Sequence, residues 1–563
     1  MRKKILSGTY PPILPDINDW PIFKLSENRK QFTEELEQFT FDRIQSYHKE
    51  NMTDLLAETI YQEKIRIKEE PWKVDPPNER QFWSRIKKQL IRYSVDKDEN
   101  ISYKNNSYIL KQIIHRYALE IVGTFKINTF LFARRFLTWF FNQLLQASFW
   151  KIKFTGGKKR LVQKLIVKGN IEHVRNLAQK GTLIIVPTHF SNLDSILIGY
   201  ALDTIIGLPA FSYGAGLNLY NTGYTAYFMN RLGAYRVDRR KKNKIYLETL
   251  KSMSNLSIQK GTNSIFFPGG TRSRSGAIEN KLKMGLLGTV VEAQRALLQK
   301  NNETKIYIVP LILSYHFVLD GQSLIDQYLK QQGKSKYFKE GKDYSGISGI
   351  VRFIWKILSE GNEITLSFGE PMDVIGNPVN QEGISKDKYN NKIDLADYFK
   401  SNGIINTDLQ RETEYTGLLA ESIIKRFHAD NIVLSSHLIA FAAFEMLCNE
   451  NPSLDLFGIL RLPTDDYIFD HDYLIATVGQ LKKTLIIYEE KSKLILSPEI
   501  KEEIGVLIED GIKHLGTFHI RKPLKKNKIG QIISENFYLL YFYHNRLTGY
   551  GLEKWIKPAR INL

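Results

Sequence analysis

Short apolar runs and helical apolar spacing alternate through the middle of the chain. Four runs rich in β-branched residues have the length and the polar boundaries of buried strands, namely 183–186, 264–267, 305–313 and 363–368. Three stretches repeat apolar residues at helical spacing, namely 192–203, 246–259 and 284–299. This alternation predicts an α/β fold, a layered domain at 171–375 with a mixed sheet and flanking helices. Its chemistry is expected on loops at strand ends.

The regions on either side of this domain are predicted to be mainly helical. Residues 1–170 combine helical patterns with Pro-rich turns and carry no candidate chemistry. A polar passage rich in Asn, Gly and Lys follows the domain, so residues 376–406 are predicted to be a linker. Residues 407–563 return to helical patterns and end in an aromatic segment. We therefore expect four segments, without an internal repeat.

The most hydrophobic stretch of the chain is Phe136–Trp150. It contains 15 residues without a charge and has basic residues on both sides. A spanning helix needs about 20 apolar residues, so this stretch is too short to cross a membrane. Its Trp and Phe content is typical of a helix lying in the lipid headgroup region, and a core helix of the N-terminal region is the equal alternative.

Composition and charge limit the class of partner. The 563 residues are 43% hydrophobic and 25% charged, as in an ordinary folded protein of two to four domains. The net charge of +19 favours anionic partners, which are phosphorylated small molecules, nucleic acid or an acidic membrane surface. Cys448 is the single cysteine, which excludes an intrachain disulfide and fits a reducing, cytoplasmic setting. The N-terminus predicts no secretory signal.

His189 and Asp194 are the first candidates for chemistry. His189 follows the strand-like run 183–186, and Asp194 falls in the first turn of the next predicted helix. Ser191 or Asn192 is expected to cap that helix through a side-chain oxygen. A carboxylate bound to one imidazole nitrogen fixes the tautomer and leaves the other nitrogen as a general base. Seen alone, the pair is better explained as a turn histidine bonded to a helix-capping carboxylate.

Three further stretches of the predicted domain carry candidate binding groups. Gly233–Lys242 packs five basic residues into ten positions, which by itself is typical of a solvated face. Phe266–Gly276 combines glycines, hydroxyls and two arginines that suit phosphate oxygens, and its alternative is a hairpin turn. Ile308–Leu313 carries Pro310, which predicts a strand start, an edge or a bulge.

In this order, the stretches resemble the glycerophospholipid acyltransferase family. The family shares a His-x4-Asp block, a Gly/Arg block, a Phe-Pro-Glu-Gly-Thr-Arg-Ser block and a Pro-containing strand. The corresponding segments span about 200 residues and are His189–Asp194, Gly233–Arg239, Phe267–Ser273 and Val309–Leu313. Finer features look like the glycerol-3-phosphate and dihydroxyacetone-phosphate acyltransferase branch, namely Ala215–Leu219, Arg272–Gly276, Pro310 with Ser314 and Tyr315, and Ser367–Pro371.

Two positions depart from the family pattern. Gly269 stands where the family usually has a Glu that helps to hold or orient the active site. Asp238 and Glu279 are the candidate substitutes for that carboxylate. The residue before Arg239 is Asp238 rather than the Arg common in the glycerol-phosphate branch, and this pair looks more like the lysophosphatidate acyltransferases.

The resemblance implies transfer of an acyl group from acyl-CoA or acyl carrier protein to the sn-1 hydroxyl of glycerol-3-phosphate, in phospholipid biosynthesis. His189 would take the hydroxyl proton while Asp194 orients the imidazole. No metal or redox cofactor is implied. The substrate would be held by residues of the later blocks, with guanidinium groups on its phosphate: Arg239, Gly270, Thr271, Arg272, Ser273, Arg274 and Pro310.

The alternatives are a lysophosphatidate or dihydroxyacetone-phosphate acyltransferase, and a degenerate scaffold that binds lipid or anions without catalysis. The basic runs lack a recognisable nucleic-acid module, so no nucleic-acid partner is expected. An amphiphilic product and a basic surface predict that the chain works on the cytoplasmic face of an anionic membrane, as a peripheral or monotopic protein.

Overall fold

The computed structural model describes most of the chain, in the ranges 9–93, 98–147, 165–191, 193–220, 223–316, 318, 320–332, 364–464, 467–516 and 519–556. Two of the sequence-based expectations, the helix cap at 191–192 and the aromatic stretch 136–150, include residues that the structure does not describe. Asn192 lies outside the described residues, and so do residues 148–150 at the end of the aromatic stretch.

Among the described residues, six helices precede the sheet, in agreement with the predicted helical N-terminal region, and they are α1 (Pro21–Glu27), α2 (Arg29–His48), α3 (Met52–Glu69), α4 (Glu79–Tyr93), α5 (Glu99–Ile121) and α6 (Ile127–Ala147). The apolar faces of α2 to α5 share one core with the later helix Lys244–Gln259, in which Leu36, Trp83 and Tyr117 are fully buried. The N-terminal region is therefore packed onto the sheet domain through that helix.

A seven-stranded sheet forms the centre of the molecule. Its strands are β1 (Leu165–Gly169), β2 (Gly181–Pro187), β3 (Ser212–Gly216), β4 (Ala234–Val237), β5 (Ser264–Ile265), β6 (Lys305–Ser314) and β7 (Ile364–Phe368). The order across the sheet is β1-β7-β6-β2-β5-β3-β4, and every pair is parallel except the antiparallel β6 and β7. This mixed sheet confirms the predicted fold class.

The four predicted strands are present as β2, β5, β6 and β7. Their apolar runs are buried on both faces, because helices cover both sides of a largely parallel sheet. The other three strands were not predicted. β3 and β4 have the sequences SYGAG and AYRV, whose glycine, tyrosine and polar residues make no continuous apolar run.

Pro310 lies in the middle of the central strand β6, not at its start or at a sheet edge. It is buried and in register with Val186 of β2. On the other side of β6, pairing with β7 begins at Leu311, and Gly369 donates its N–H to the Pro310 carbonyl at 2.8 Å. The expected strand start or edge is therefore wrong, and the proline occupies a break in the ladder where no N–H is needed.

The helices described between the strands are α7 (Ile171–Ala178), α8 (Asp194–Tyr200), α9 (Gly223–Met229), α10 (Lys244–Gln259), α11 (Met284–Gln299) and α12 (Gly321–Gln331). Asn243 caps α10 by accepting the Tyr246 N–H at 2.8 Å, which satisfies a free amide of the first turn. The predicted helices 192–203, 246–259 and 284–299 correspond to α8, α10 and α11.

The C-terminal region is mainly helical, as predicted, with α13 (Leu409–Ala429), α14 (Ser435–Glu450), α15 (Leu456–Ile459), α16 (His471–Glu490), α17 (Ile504–Gly516) and α18 (Phe537–His544). Short strand pairs lie between them: 400–401 with 404–405, 432–433 with 495–496, and 468–469 with 532–533, which also pairs with 525–526. One continuous core runs from the sheet into these helices. The predicted division into four segments stays a prediction.

None of the described helices combines the length and the apolar character needed to cross a membrane.

Candidate active site

The histidine and the aspartate of the first block form a hydrogen-bonded pair. His189 follows the carboxyl end of β2, and its Nδ1 lies 2.8 Å from Asp194 Oδ2. The same oxygen accepts the backbone N–H groups of Phe190 at 2.7 Å and Ser191 at 2.9 Å. Because a carboxylate only accepts, Nδ1 carries the proton and Nε2 keeps a lone pair. His189 therefore has the tautomer that a general base requires.

Asp194 is enclosed from the other side by Tyr315, which follows β6. The Tyr315 hydroxyl donates to Asp194 Oδ1, and Asp194 is fully buried. Burial and the adjacent carboxylate raise the pKa of Tyr315 well above its usual value, so the phenol keeps its proton as a donor. The expected Ser191 cap is wrong, since α8 has Leu193 before it and no side-chain cap. The carboxylate of Asp194 instead turns back to the amides that precede the helix.

His189 faces a cavity of about 680 Å³ at the carboxyl ends of the parallel strands. Its side chain is 19% exposed, and its ring stacks on Phe267 with the centroids 4.1 Å apart. β4 and β5 end at the same edge as β2, so the Gly/Arg block and the arginine-rich loop reach this cavity too. The cavity therefore joins the first three blocks of the sequence.

Three guanidinium groups line this cavity. Arg239 Nη2 donates to the Gly270 carbonyl at 2.5 Å, and Arg272 Nη1 lies 2.5 Å from Asp320 Oδ2. Loss of solvent, followed by the charges of Arg274 and Arg272, lowers the pKa of Arg239. Between described residues, no carboxylate lies within ion-pair distance of Arg239 or Arg274. Cations gathered with too few acidic partners are typical of a site for an anion such as phosphate.

Lys283 is a further cation of the cavity wall, and it lies outside the blocks from which the candidate residues were predicted. A Cβ on Gly270 would meet Lys283 Cδ at 2.6 Å and Nζ at 2.9 Å, so the lysine side chain lies directly across the loop. Gly270 also has φ +74°, in the left-handed region that favours glycine. Lys283 precedes α11, and its N–H donates to the Pro268 carbonyl at 2.8 Å. Its side chain lines the same cavity.

The structure brings most of the predicted binding residues to the cavity wall, namely Arg239, Gly270, Thr271, Arg272 and Arg274. Ser273 and Pro310 are not part of that wall. The Ser273 N–H donates to the His189 carbonyl at 2.7 Å, and its hydroxyl to the Ala277 carbonyl at 2.7 Å, so this residue ties the loop to the histidine turn. The Gly270 N–H bonds the Phe267 carbonyl and is not available to an anion. The binding roles stay predictions.

The basic run of the Gly/Arg block is not a solvated face. Arg240 Nη2 lies 2.5 Å from Asp75 and 2.7 Å from Asp238, and Lys241 Nζ lies 2.6 Å from Glu120. The Lys241 side chain is 1% exposed. The solvated-face interpretation is wrong for these two cations because the N-terminal helical region covers them, which no local pattern reveals.

Of the two candidate substitutes for the missing carboxylate at Gly269, only Glu279 lies against that glycine. A Cβ on Gly269 would approach Glu279 Cγ and Oε1 to 3.2 Å. The Asp238 carboxylate is engaged by Arg240, whose Nε lies 3.0 Å away. Glu279 therefore occupies the space beside Gly269.

Sequence reasoning missed Arg546, a buried residue near the His189–Asp194 pair. Its guanidinium lies 4.2 Å from the centre of the Phe190 ring and donates to the Leu313 carbonyl at 2.7 Å. It comes from beyond α18, more than 300 residues after His189, so local spacing carries no signal for it. Tyr315 was noticed only for its likeness to a branch of the family, and Lys283 lay outside the blocks considered.

Residues 168–314 match the protein family described as Acyltransferase. The match covers the strand with the histidine, both arginine-bearing blocks and the Pro-containing strand, so the residues that meet at the cavity all lie within it apart from those after 314. This segment of the chain is therefore similar to the Acyltransferase family.

Curated proteins similar to the chain include several named glycerol-3-phosphate acyltransferase. The chain is 24% identical over 291 residues to a glycerol-3-phosphate acyltransferase of Pseudomonas aeruginosa (strain UCBPP-PA14), covering 51% of this chain and 30% of that protein. A glycerol-3-phosphate acyltransferase of Histophilus somni (strain 129Pt) is 27% identical over 308 residues, covering 54% of this chain and 33% of that protein. The chain thus matches a third or less of the length of these relatives.

Proposed function

We propose that the chain transfers a fatty acyl group from a thioester to the sn-1 hydroxyl of glycerol-3-phosphate. One observation carries this proposal: a single cavity contains the base His189 and three arginines with too few acidic partners. An acceptor with a hydroxyl at one end and a phosphate at the other needs both groups in one site. The names of the curated relatives support the same acceptor.

The transfer needs one base and no covalent enzyme intermediate. His189 Nε2 takes the hydroxyl proton, and the oxygen attacks the thioester carbonyl. The C–S bond then breaks, and the leaving thiolate takes the proton back from the imidazolium. Asp194 stabilises the imidazolium through Nδ1 and holds the ring in place, and Tyr315 fixes the second carboxylate oxygen.

The phosphate is proposed to bind at the arginine side of the cavity. Arg239 and Arg274 carry positive charge without an acidic partner among the described residues, and Lys283 lies over the loop beside them. A phosphate there relieves the repulsion between these groups. One guanidinium can bind it through two hydrogen bonds. Arg272 is already paired with Asp320 and contributes charge with a fixed orientation.

The acyl donor is proposed to be acyl-CoA or an acyl carrier protein thioester. The cavity has an apolar wall beyond the arginines, formed by Leu247, Leu250 and Leu286, which suits the start of an acyl chain. No cofactor is proposed. In the part of the chain that the structure describes, no three His, Cys, Asp or Glu side chains gather as metal ligands.

The test is acyl transfer by purified protein in detergent or lipid, with radiolabelled glycerol-3-phosphate and either donor. His189→Ala should lower kcat by about 10³-fold, since general-base catalysis contributes 10² to 10⁴. His115→Ala, which removes an exposed histidine on α5, is the matched control and should keep full activity. Turnover with lysophosphatidate or dihydroxyacetone phosphate instead would reassign the acceptor. The absence of turnover with every acceptor would favour a non-catalytic scaffold.

The place of action is proposed to be an anionic membrane surface. Five aromatic side chains of α6 and α9 are 45% to 79% exposed, and this aromatic patch comprises Phe132, Phe136, Trp139, Tyr224 and Tyr227. Phe132 stacks on Phe228, which joins the two helices into one surface. Arg135 is exposed beside the patch. Aromatic rings with basic neighbours are typical of residues at the headgroup level of a bilayer.

Vesicle binding tests this location. Tyr224→Ser combined with Trp139→Ser should weaken co-sedimentation with vesicles of anionic phosphatidylglycerol and phosphatidylcholine by about tenfold or more, as two aromatic anchors are lost. Tyr61→Ser combined with Tyr389→Ser is the control, since both are exposed tyrosines outside the patch. Equal binding by the two double variants would rule the patch out as the contact surface.

A further inference from the structure

Glu279 is bonded to the backbone of the histidine turn. Its Oε1 accepts the His189 N–H at 3.2 Å. Its other carboxylate oxygen, Oε2, is enclosed and has no hydrogen-bond partner among the described residues. Although the residue as a whole is half-buried, its carboxyl group is thus inside the protein. A buried acceptor without a partner costs about 1–3 kcal/mol, and the bond from the His189 N–H to Oε1 offsets part of that cost.

Gly269 leaves room for this carboxylate. A Cβ at position 269 would lie 3.2 Å from both Cγ and Oε1 of Glu279, which is too close for an unshifted pair. The backbone itself does not demand glycine there, since Gly269 lies outside the positive-φ region. The absence of a side chain at Gly269 and the presence of Glu279 therefore belong together. The Glu279 carboxylate occupies the space that a side chain at position 269 would enter.

Charged groups of both signs act on the Glu279 carboxyl group. The field of Arg546 acts on Glu279 as an attraction, and that of Asp194 as a repulsion. Loss of solvent is nevertheless the largest influence and raises the pKa of Glu279 to about 7.

We propose that Glu279 is a positioning residue that holds the His189 backbone in its catalytic geometry, in the space that Gly269 leaves open. The inference rests on the proposed acyl transfer for its kinetic effect. Glu279 itself touches no substrate: it acts by fixing the backbone from which the imidazole projects. Displacing a catalytic group by about 1 Å costs about 100-fold in rate.

The first experiment compares Glu279→Ala with the wild type. We expect kcat to fall about 100-fold while KM for glycerol-3-phosphate changes by less than about twofold, since the arginines still hold the phosphate. Glu412→Ala removes a buried carboxylate far from the histidine, where it pairs with Arg295, and is the control for lost stability. It should keep the wild-type kcat. An unchanged kcat in Glu279→Ala, or a rise in KM alone, would overturn the proposal.

The second experiment moves the carboxylate. Removing Glu279 also removes the two atoms that crowd position 269, so Gly269→Glu combined with Glu279→Ala should place a carboxylate in the same space. We expect the double variant to recover kcat to within about tenfold of the wild type. Gly269→Glu alone should be impaired by crowding. A folded double variant as slow as Glu279→Ala would contradict the proposal. If the double variant does not fold, Glu279→Gln decides, because it keeps an acceptor oxygen and should recover most of kcat.

Amide exchange separates this inference from the proposed function, because it needs no turnover. In Glu279→Ala the His189 N–H loses its acceptor, so hydrogen–deuterium exchange in a peptide covering 187–194 should become faster, while a β7 peptide stays unchanged. Unchanged exchange at the histidine turn would overturn the inference. A wild type without any acyl transfer would remove the proposed function, and the exchange result would then decide the role of Glu279 alone.

Discussion

The two sides of the cavity are held in place by different parts of the chain. The histidine side is supported from the C-terminal region by Arg546, a single buried cation. The arginine side is supported from the N-terminal region by a network of ion pairs that binds Arg240 and Lys241. The segment 168–314, which is similar to the Acyltransferase family, contains the candidate reacting groups. The two helical regions contribute residues that hold this segment in place.

The histidine side depends on few contacts, each of them buried. Arg546 donates to the Leu313 carbonyl at 2.7 Å and to Asn431 Oδ1 at 3.0 Å, and it lies over the Phe190 ring. Burial lowers its pKa to about 10, which leaves it charged at neutral pH. This fixed charge acts on Asp194 as an attraction. A buried charge of this kind is costly to disturb because no solvent replaces it.

The arginine side is stabilised by several ion pairs together. Arg66 lies 2.5 Å from Glu79, and Arg240 and Lys241 pair with Asp75 and Glu120 of the same helical region. These pairs fix the chain directly after Arg239. Damage to the histidine side should therefore reduce kcat, whereas damage to the arginine side should weaken phosphate binding.

Among the residues that support the two sides of the cavity, the largest effect is expected for Arg546→Met. The variant removes the buried charge behind the histidine turn, so we expect kcat to fall about 100-fold while KM for glycerol-3-phosphate stays within about threefold. Steady-state kinetics measure both values. Arg546→Lys, which keeps the charge but loses the paired donors, should lie between the variant and the wild type. A rise in KM without a fall in kcat would contradict the division between the two sides.

Arg274→Ala should act in the opposite way. Losing one charged bond to phosphate costs about 1.5–3 kcal/mol, so KM for glycerol-3-phosphate should rise about 10- to 100-fold with little change in kcat. Competition by inorganic phosphate should weaken by the same factor. Arg80→Ala, an exposed arginine of α4, is the control and should leave both values unchanged. A loss confined to kcat would place Arg274 on the histidine side.

Lys241→Met tests the network behind the arginines. It leaves Glu120 buried without its partner, so we expect unfolding to become about 3–5 kcal/mol easier in denaturant titrations and KM to rise only a few-fold. Lys260→Met removes a similar pair with Glu35 that is exposed, and it should cost about 1 kcal/mol or less. Equal losses in the two variants would show that burial of the network carries no extra stability.

The smallest effect on turnover is expected from pH, which should act on stability through Glu279. Burial raises the pKa of Glu279 from 4.5 to about 7. The folded state therefore binds this proton more tightly than the unfolded state, so the contribution to stability falls as pH rises from 4.5 to 7, by about 3 kcal/mol in all. Between pH 5 and pH 8, Glu279→Gln should gain stability relative to the wild type, as measured by urea unfolding. A constant difference across this range would contradict the raised pKa.

Much of the fold follows from local pattern. Apolar runs predicted the strands β2, β5, β6 and β7, because strands covered on both faces must be apolar throughout. β3 and β4 escaped prediction since their burial comes from neighbouring elements rather than from their own composition. The same limit explains Arg240 and Lys241, whose charged run is buried by helices that lie far away in sequence.

For the candidate site, local pattern was enough to predict the candidate reacting groups, because His189, Asp194 and the arginines belong to short blocks whose spacing and glycine-rich loop are readable along the chain. The tertiary structure alone decided what holds them. Tyr315, Arg546 and the N-terminal ion pairs reach the site across 100 to 350 residues. Such contacts depend on packing at a distance, which periodicity along the chain does not encode. Glu279 needed both sources of information. The sequence made it a candidate substitute for the carboxylate missing at Gly269, and only the fold brought its carboxylate beside that glycine.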